Sequence, residues 1–189
     1  RPGPVVMDVP YNVQIAMINP KKLKSFKEKK NKNNKNFTSI FRFLLNAIKK
    51  SSKPMIILGG GVQSIKNNNL ILNLLNKLNL PVATTWLATD ILYYDYKLNI
   101  GNVGRSGNRS AIYAVQDSDL IISFGCRFTS KVVINEKQFA KKAKIIALDI
   151  DPAEFNQALI KVSKGFRVDL KKFVPSFYKF LNKTKFRNI

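Results

Sequence analysis

A five-residue apolar run, Pro54-Met55-Ile56-Ile57-Leu58, ends directly on three glycines, Gly59-Gly60-Gly61. The run lacks polar alternation, so as a strand it has to be covered on both faces, which is the environment of a parallel sheet. A helical pattern begins near Ser64, and strand, glycine turn and helix together predict the first half of a βαβ unit. Such a turn lets backbone N–H groups approach a phosphate at the helix N-terminus. The glycines are contiguous rather than spaced as G-x-G-x-x-G, so a tight turn holding no ligand is an equally open reading.

Composition removes several function classes. The sequence has no histidine, one cysteine (Cys126) and 11 acidic residues among 189. A histidine-based triad is therefore impossible, a zinc site would need an unusual donor set, and no intrachain disulfide can form. A lone cysteine fits a reducing compartment, and a cytoplasmic location is expected. No apolar run approaches the roughly 20 residues that a membrane span needs. The length suits one domain with tails, and the start on Arg1 leads us to expect a piece of a longer protein.

The formal charge of +22 invites a nucleic-acid reading. Its distribution argues otherwise. Residues 21–36, KKLKSFKEKKNKNNKN, are dominated by Lys and Asn, with no Arg to read bases and Phe26 as the one aromatic. Lys and Asn abound throughout, as in proteins from AT-rich genomes, and this run reads as a solvated linker.

Helices and strands alternate along the rest of the chain. Residues 4–9 predict a strand between prolines, the last of some preceding sheet. Ile40, Phe41, Leu44, Leu45 and Ile48 recur at helical spacing and are closed by Lys49 and Lys50, where cations suit the helix dipole. Leu70, Ile71, Leu74, Leu75 and Leu78 mark a second helix. Pro81-Val82-Ala83-Thr84-Thr85 is a short strand led by proline. Residues 86–99 look irregular, and 101–108 form a second glycine loop in which Ser106 or Asn108 could cap a helix over 109–116. Strands are expected at 119–125, 144–149 and, at an edge, 161–168, before an amphipathic helix over 170–181. This alternation predicts an α/β fold, a Rossmann-like parallel sheet with helices on both faces.

Residues able to bind ligands then fall at strand C-termini, where open α/β sheets take their ligands: Gly59–Gly61, Thr84 and Thr85, Gly125 to Arg127, Asp149 to Asp151. Plainer roles are also open, an ordinary salt bridge for Arg127 and helix capping for Asp149 and Asp151 ahead of Pro152. Cys126 reads as a small buried residue, and Trp86 with Tyr93, Tyr94 and Tyr96 as packing or interface.

Taken in order, GPVVMDVPYNVQ, PMIILGGGV, LPVATT, IGNVGRSGNRSA, DLIISFGCRF and AKIIALDID resemble the thiamine-diphosphate enzymes, and most of all the acetolactate synthase large-subunit family. The resemblance covers most of residues 3–14 and 37–181. It implies that 1–14 are the tail of a pyrimidine-binding domain, 15–36 a basic linker, 37–182 a central nucleotide-binding-like domain, and 183–189 the start of a linker to a further domain. It implies an enzyme that uses thiamine diphosphate and Mg2+ to decarboxylate a 2-keto acid, pyruvate, and pass the carbanion to an acceptor. Branched-chain amino acid biosynthesis and a homo-oligomer are implied with it. The family's catalytic glutamate and its Gly-Asp-Gly motif lie in the two other domains and have no counterpart in this sequence. By itself the chain should then be structural and neither bind thiamine diphosphate nor catalyse.

In acetolactate synthases the central domain holds a structural FAD. The resemblance places its flavin-contacting glycine turn on Gly59, Gly60 and Gly61, and its Thr pair on Thr84 and Thr85. Its second glycine loop falls on Gly101 and Gly104, its Gly-Ala-Arg-Phe on Gly125 and Arg127, and its Asp-Ile-Asp strand end on Asp149 and Asp151. Amides and Arg would face the pyrophosphate, and a carboxylate the ribose hydroxyls. The sequence also departs from the pattern. Gly-Met-His-Gly is Gly101-Asn102-Val103-Gly104, Asp-Asp-Arg is Thr129-Ser130-Lys131, and the glycines after the Thr pair are Ala88 and Asp90. FAD, another nucleotide and no ligand all stay open on these residues. A different class of function, a stand-alone nucleotide- or nucleic-acid-binding module with a basic surface, is the alternative.

Overall fold

The computed structural model describes residues 4–26, 36–65 and 67–184; the basic run over 27–35 and the end from 185 lie outside them. The chain divides into two compact units, Arg1–Lys35 and Asn36–Ile189. In the first, α1 (Tyr11–Gln14) is a single turn, and a 3-10 turn at Pro20–Lys22 is capped by the Asn19 side chain, which accepts from Lys21 N at 3.0 Å. The strand expected at residues 4–9 does not form. Those residues have no ladder partner among the described residues, and Val5, Val6 and Met7 are exposed. An apolar run becomes a strand only where a neighbour takes up its N–H and C=O groups.

The second unit opens with α2 (Thr38–Lys50), followed by β1 (Pro54–Leu58), α3 (Asn68–Leu78), β2 (Val82–Thr84) and β3 (Asn99–Asn102). Then come α4 (Arg109–Asp117), β4 (Leu120–Phe124), β5 (Lys144–Asp149), α5 (Ala153–Asn156), β6 (Lys164–Arg167) and α6 (Leu170–Lys183). All five strand pairings are parallel and the order is β3-β2-β1-β4-β5-β6. The α/β, Rossmann-like expectation therefore holds, and the strand order reverses between β1 and β4.

Alternate residues of each strand serve two cores, as a period of two requires. Ile56, Leu58, Val82, Ile122, Phe124, Ile146 and Leu148 join the inward faces of α2, α3 and α6. Met55, Ile57, Ala83, Ile121 and Ile145 meet Ala111 and Val115 of α4, together with Phe128, Val132, Val133 and Ala140 from the irregular segment between β4 and β5. Helices α2 and α6 are locked by rings: Phe41 stacks on Phe177 at 4.8 Å and meets the edge of Phe173 at 5.1 Å.

Three local expectations are corrected. The glycine turn does not open α3; it leads into a 3-10 helix, Gly60–Ser64, and α3 starts at Asn68 behind an Asn67 cap. Residues 99–102, read as irregular chain and loop, form edge strand β3. Its polar sequence hides it, since an edge strand paired on one side is only half-buried. Asn108 does precede α4, yet its side chain does not cap that helix: Oδ1 accepts from Asn102 N at 2.7 Å, while Asn108 N donates to Asn102 O at 2.8 Å. Side chain and backbone together pin the end of β3.

Candidate functional site at the strand C-termini

Because every strand runs the same way, Gly59, Thr84 and Thr85, Asn102, Gly125 and Asp149 all stand at one rim of the sheet. At its centre two backbone corners interlock across the switch point. Gly59 N donates to Phe124 O and Gly61 N to Gly125 O, both at 2.9 Å. A Cβ on Gly59 would lie 2.3 Å from both Cys126 Cα and Gly125 O, so glycine is required for the close approach of chain to chain. Gly125 itself has φ +57° and donates to Leu148 O at 2.8 Å. Gly60 is the exception: it is half-buried, and a Cβ there would meet only the Leu87 side chain, at 3.0 Å.

The neighbouring corners are closed in the same manner. Thr84 is buried; its hydroxyl donates to Asn102 Oδ1, and its carbonyl accepts from Val103 N at 2.8 Å. Thr85 is buried too, with its amide on Leu58 O at 2.8 Å. Gly101 (φ +100°) lies against the Asn108 side chain, and Gly104 (φ +114°) against Lys131 O, which accepts from Arg105 N at 2.9 Å. On the far side, Asp149 Oδ1 accepts from Asp151 N and Asp151 Oδ1 from Ala153 N, both at 3.0 Å, turning the chain into α5.

Arg127 projects from the β4 corner with its side chain 66% exposed, and its Nε pairs with Glu154 Oε2 at 3.1 Å. Glu154 is buried in α5, so this pair ties the β4 corner to the β5 corner. The sequence showed Arg127 but not the glutamate as its partner; the available signal was an acidic residue in the first turn of a helix that starts beside Arg127's own strand end. Beneath lies Cys126, whose thiol is pushed well above its ordinary range by burial first, and then by the Asp149 and Glu154 carboxylates. Toward β3, exposed Trp86 carries Lys131 over its ring at 4.6 Å.

The rim thus gathers the glycine, threonine, arginine and aspartate corners singled out from the sequence, and holds most of them against one another. A flavin diphosphate needs open amides and a clear cradle. Here the Gly59 and Gly61 amides, the Thr84 hydroxyl and both aspartates are engaged in the fold, and the space beside Gly59, Gly61 and Gly125 is filled by backbone. What stays accessible is Gly60, Gly61 and the outer part of Arg127, with the Gly61 amide already engaged on Gly125 O. Among the described residues no three His, Cys, Asp or Glu side chains gather as they would around a metal ion. No helix among them is long and apolar enough to cross a membrane.

Comparison with known proteins agrees with this architecture. Residues 41–176 match the family described as thiamine pyrophosphate enzyme, central domain. The chain is 35% identical over 168 residues to a probable acetolactate synthase large subunit of Methanococcus aeolicus, covering 83% of this chain and 27% of that protein. It is 34% identical over 178 residues to its counterpart in Methanocaldococcus jannaschii, covering 90% and 28%. With acetolactate synthase isozyme 2 large subunit of Escherichia coli it shares 30% over 184 residues, covering 96% and 32%. The chain spans less than a third of the length of these relatives. On the family match and the parallel six-stranded sheet, it belongs to the thiamine pyrophosphate enzyme central-domain family, and it is similar to the central part of acetolactate synthase large subunits.

Proposed function

We propose that this chain is the scaffolding central domain of an acetolactate-synthase-like enzyme. In the whole protein, thiamine diphosphate with Mg2+ supplies an electron sink for decarboxylating a 2-keto acid, pyruvate, before the two-carbon unit passes to an acceptor. The catalytic glutamate and the diphosphate–metal motif then belong to flanking domains of the same polypeptide, with the active site shared between subunits of a homo-oligomer in the cytoplasm. Residues 1–14 are then the tail of the preceding pyrimidine-binding domain, 15–36 a basic linker, and 183–189 the start of the linker to the domain that follows. The central domain's own work is mechanical: to hold its two neighbours at a fixed spacing.

One observation carries this reading. The rim corners that would embrace a nucleotide are bonded corner to corner, Gly59 to Phe124, Gly61 to Gly125 and Arg127 to Glu154. A rim that satisfies itself gains rigidity and leaves few donors over for a ligand. FAD is accordingly not retained. The test is an absorbance and fluorescence scan of the purified chain, followed by titration with FAD, NAD and ADP, and a pyruvate decarboxylation assay of the full-length gene product. We expect no retained flavin, no saturable nucleotide binding, and thiamine-diphosphate-dependent activity in the full-length protein alone. Stoichiometric flavin would overturn the closed-rim reading and leave the family intact. An inactive full-length protein, properly folded and loaded with thiamine diphosphate, would overturn the enzymatic reading.

A further inference from the structure

On the α4 side of the sheet, a cavity of about 180 Å3 lies between α4 and residues 132–139. Ile112 and Val115 form its helix wall, and Val132, Ile134 and Phe139 the opposite one. Its persistence has local causes. The fully buried residues of α4, Ala111 and Val115, are short side chains. The opposite wall has no helix or strand to draw it closer, and the edge contact of Phe139 with Phe128, at 6.1 Å and 68°, props it in place. At the β3 end lies Gly104, where φ is +114° and a Cβ would strike Lys131 O at 2.3 Å, so that corner cannot be filled by a side chain.

We propose that this cavity is a binding site for a small uncharged molecule with an aromatic or branched apolar body and one hydrogen-bonding group. Size sets the class: the space is close to the roughly 150 Å3 of an enclosed apolar cavity that takes up benzene, although this one opens to solvent along Gln116, Ile134, Asn135 and Gln138. Chemistry narrows it. No lining residue carries a charge, so an ionised group placed inside would lose its hydration with no opposite charge to replace it. The polar groups of the lining include the primary amides of Gln116 and Gln138, both exposed, each of which carries a donor and an acceptor for a hydroxyl or ring N–H. The site is distinct from the rim, with which it shares only Val103 and Gly104.

The probes are phenol, indole and benzoate, titrated against the 189-residue chain and followed by ligand saturation-transfer NMR, amide shift mapping and thermal melts. Phenol and indole should bind saturably, raise Tm, and shift the amides of α4 and residues 132–139; benzoate should do none of these. Val115→Phe, which fills the cavity, should weaken phenol at least about tenfold while the variant still melts cooperatively. Ile112→Trp fills it from the other end, and should both variants misfold, the wild-type shift map decides. No saturable binding, undiminished binding in a folded filled variant, shifts elsewhere on the surface, or benzoate binding equal to phenol would each overturn the proposal.

Discussion

At Gly59 the distinction between a ligand cradle and a structural joint becomes measurable. Gly59→Ala drives a methyl into the Cys126 backbone at 2.3 Å, so the corner must open, at a cost of about 2–4 kcal/mol. Gly60→Ala meets only the exposed, movable Leu87 side chain and should stay within about 1 kcal/mol of wild type. Urea melts of the two variants provide the check; equal, small losses would mean that the corners are not interlocked as described. Arg127→Ala removes the cation beside buried Glu154, but the arginine is largely exposed and its field screened, so the loss is about 1 kcal/mol, read from the same melts. If a flavin were held after all, that substitution would weaken it by about 1–3 kcal/mol. The glycine run and Arg127 were legible in the chain as written. Their use was not, because it depends on Gly125 and Glu154, brought alongside only by the order of the strands.

Elements were legible in proportion to how deeply they are buried. Strands β1, β4 and β5, covered on both faces, announced themselves as apolar runs, and α2, α3 and α6 by helical spacing. Edge strand β3 went unread because Asn99 and Asn108 side chains, not apolar residues, hold it. Residues 4–9 carry the apolar pattern, but no strand among the described residues pairs with them. At the opposite end of the sheet, Asp119 joins two elements by accepting from Ser51 Oγ, from Ser52 N at 2.7 Å and from Lys53 N at 3.0 Å. Burial pushes this carboxyl up, yet those hydrogen bonds outweigh it and leave its pKa below the ordinary value. A lowered folded pKa means that the stabilisation is present above the unfolded value, about 3.9, and disappears as pH falls through the folded one. Asp119→Asn should therefore cost about 1 kcal/mol near neutrality and converge on wild type in strong acid, in melts taken across that range. A constant difference at every pH would show that the carboxylate charge is not what joins α2 to β1 and β4.

For the unit as a whole, Cys126 reports whether the rim and the core open together. The residue sits at the switch-point corner and belongs to the core on the α4 side, so no local fraying at a surface exposes it. Burial, followed by the Asp149 and Glu154 carboxylates, keeps its thiol neutral in the folded chain. Thiolate is the reactive form, so a thiol reagent has to wait for an opening. If the interlocked corners form one cooperative body with both cores, labelling in the native state should run at the rate set by global unfolding. Gly59→Ala should then accelerate labelling by the factor its melt predicts, about tenfold for each 1.4 kcal/mol lost, while Gly60→Ala leaves it unchanged. The pH dependence has a definite sign. A folded pKa raised above the unfolded value, about 8.5, gives stability that is complete below that value and falls as pH rises beyond it, because only the unfolded chain ionises. Cys126→Ala should remove that alkaline loss. Labelling much faster than global unfolding would mean that the rim opens by itself, and a rim that opens by itself could admit a nucleotide that the closed corners exclude.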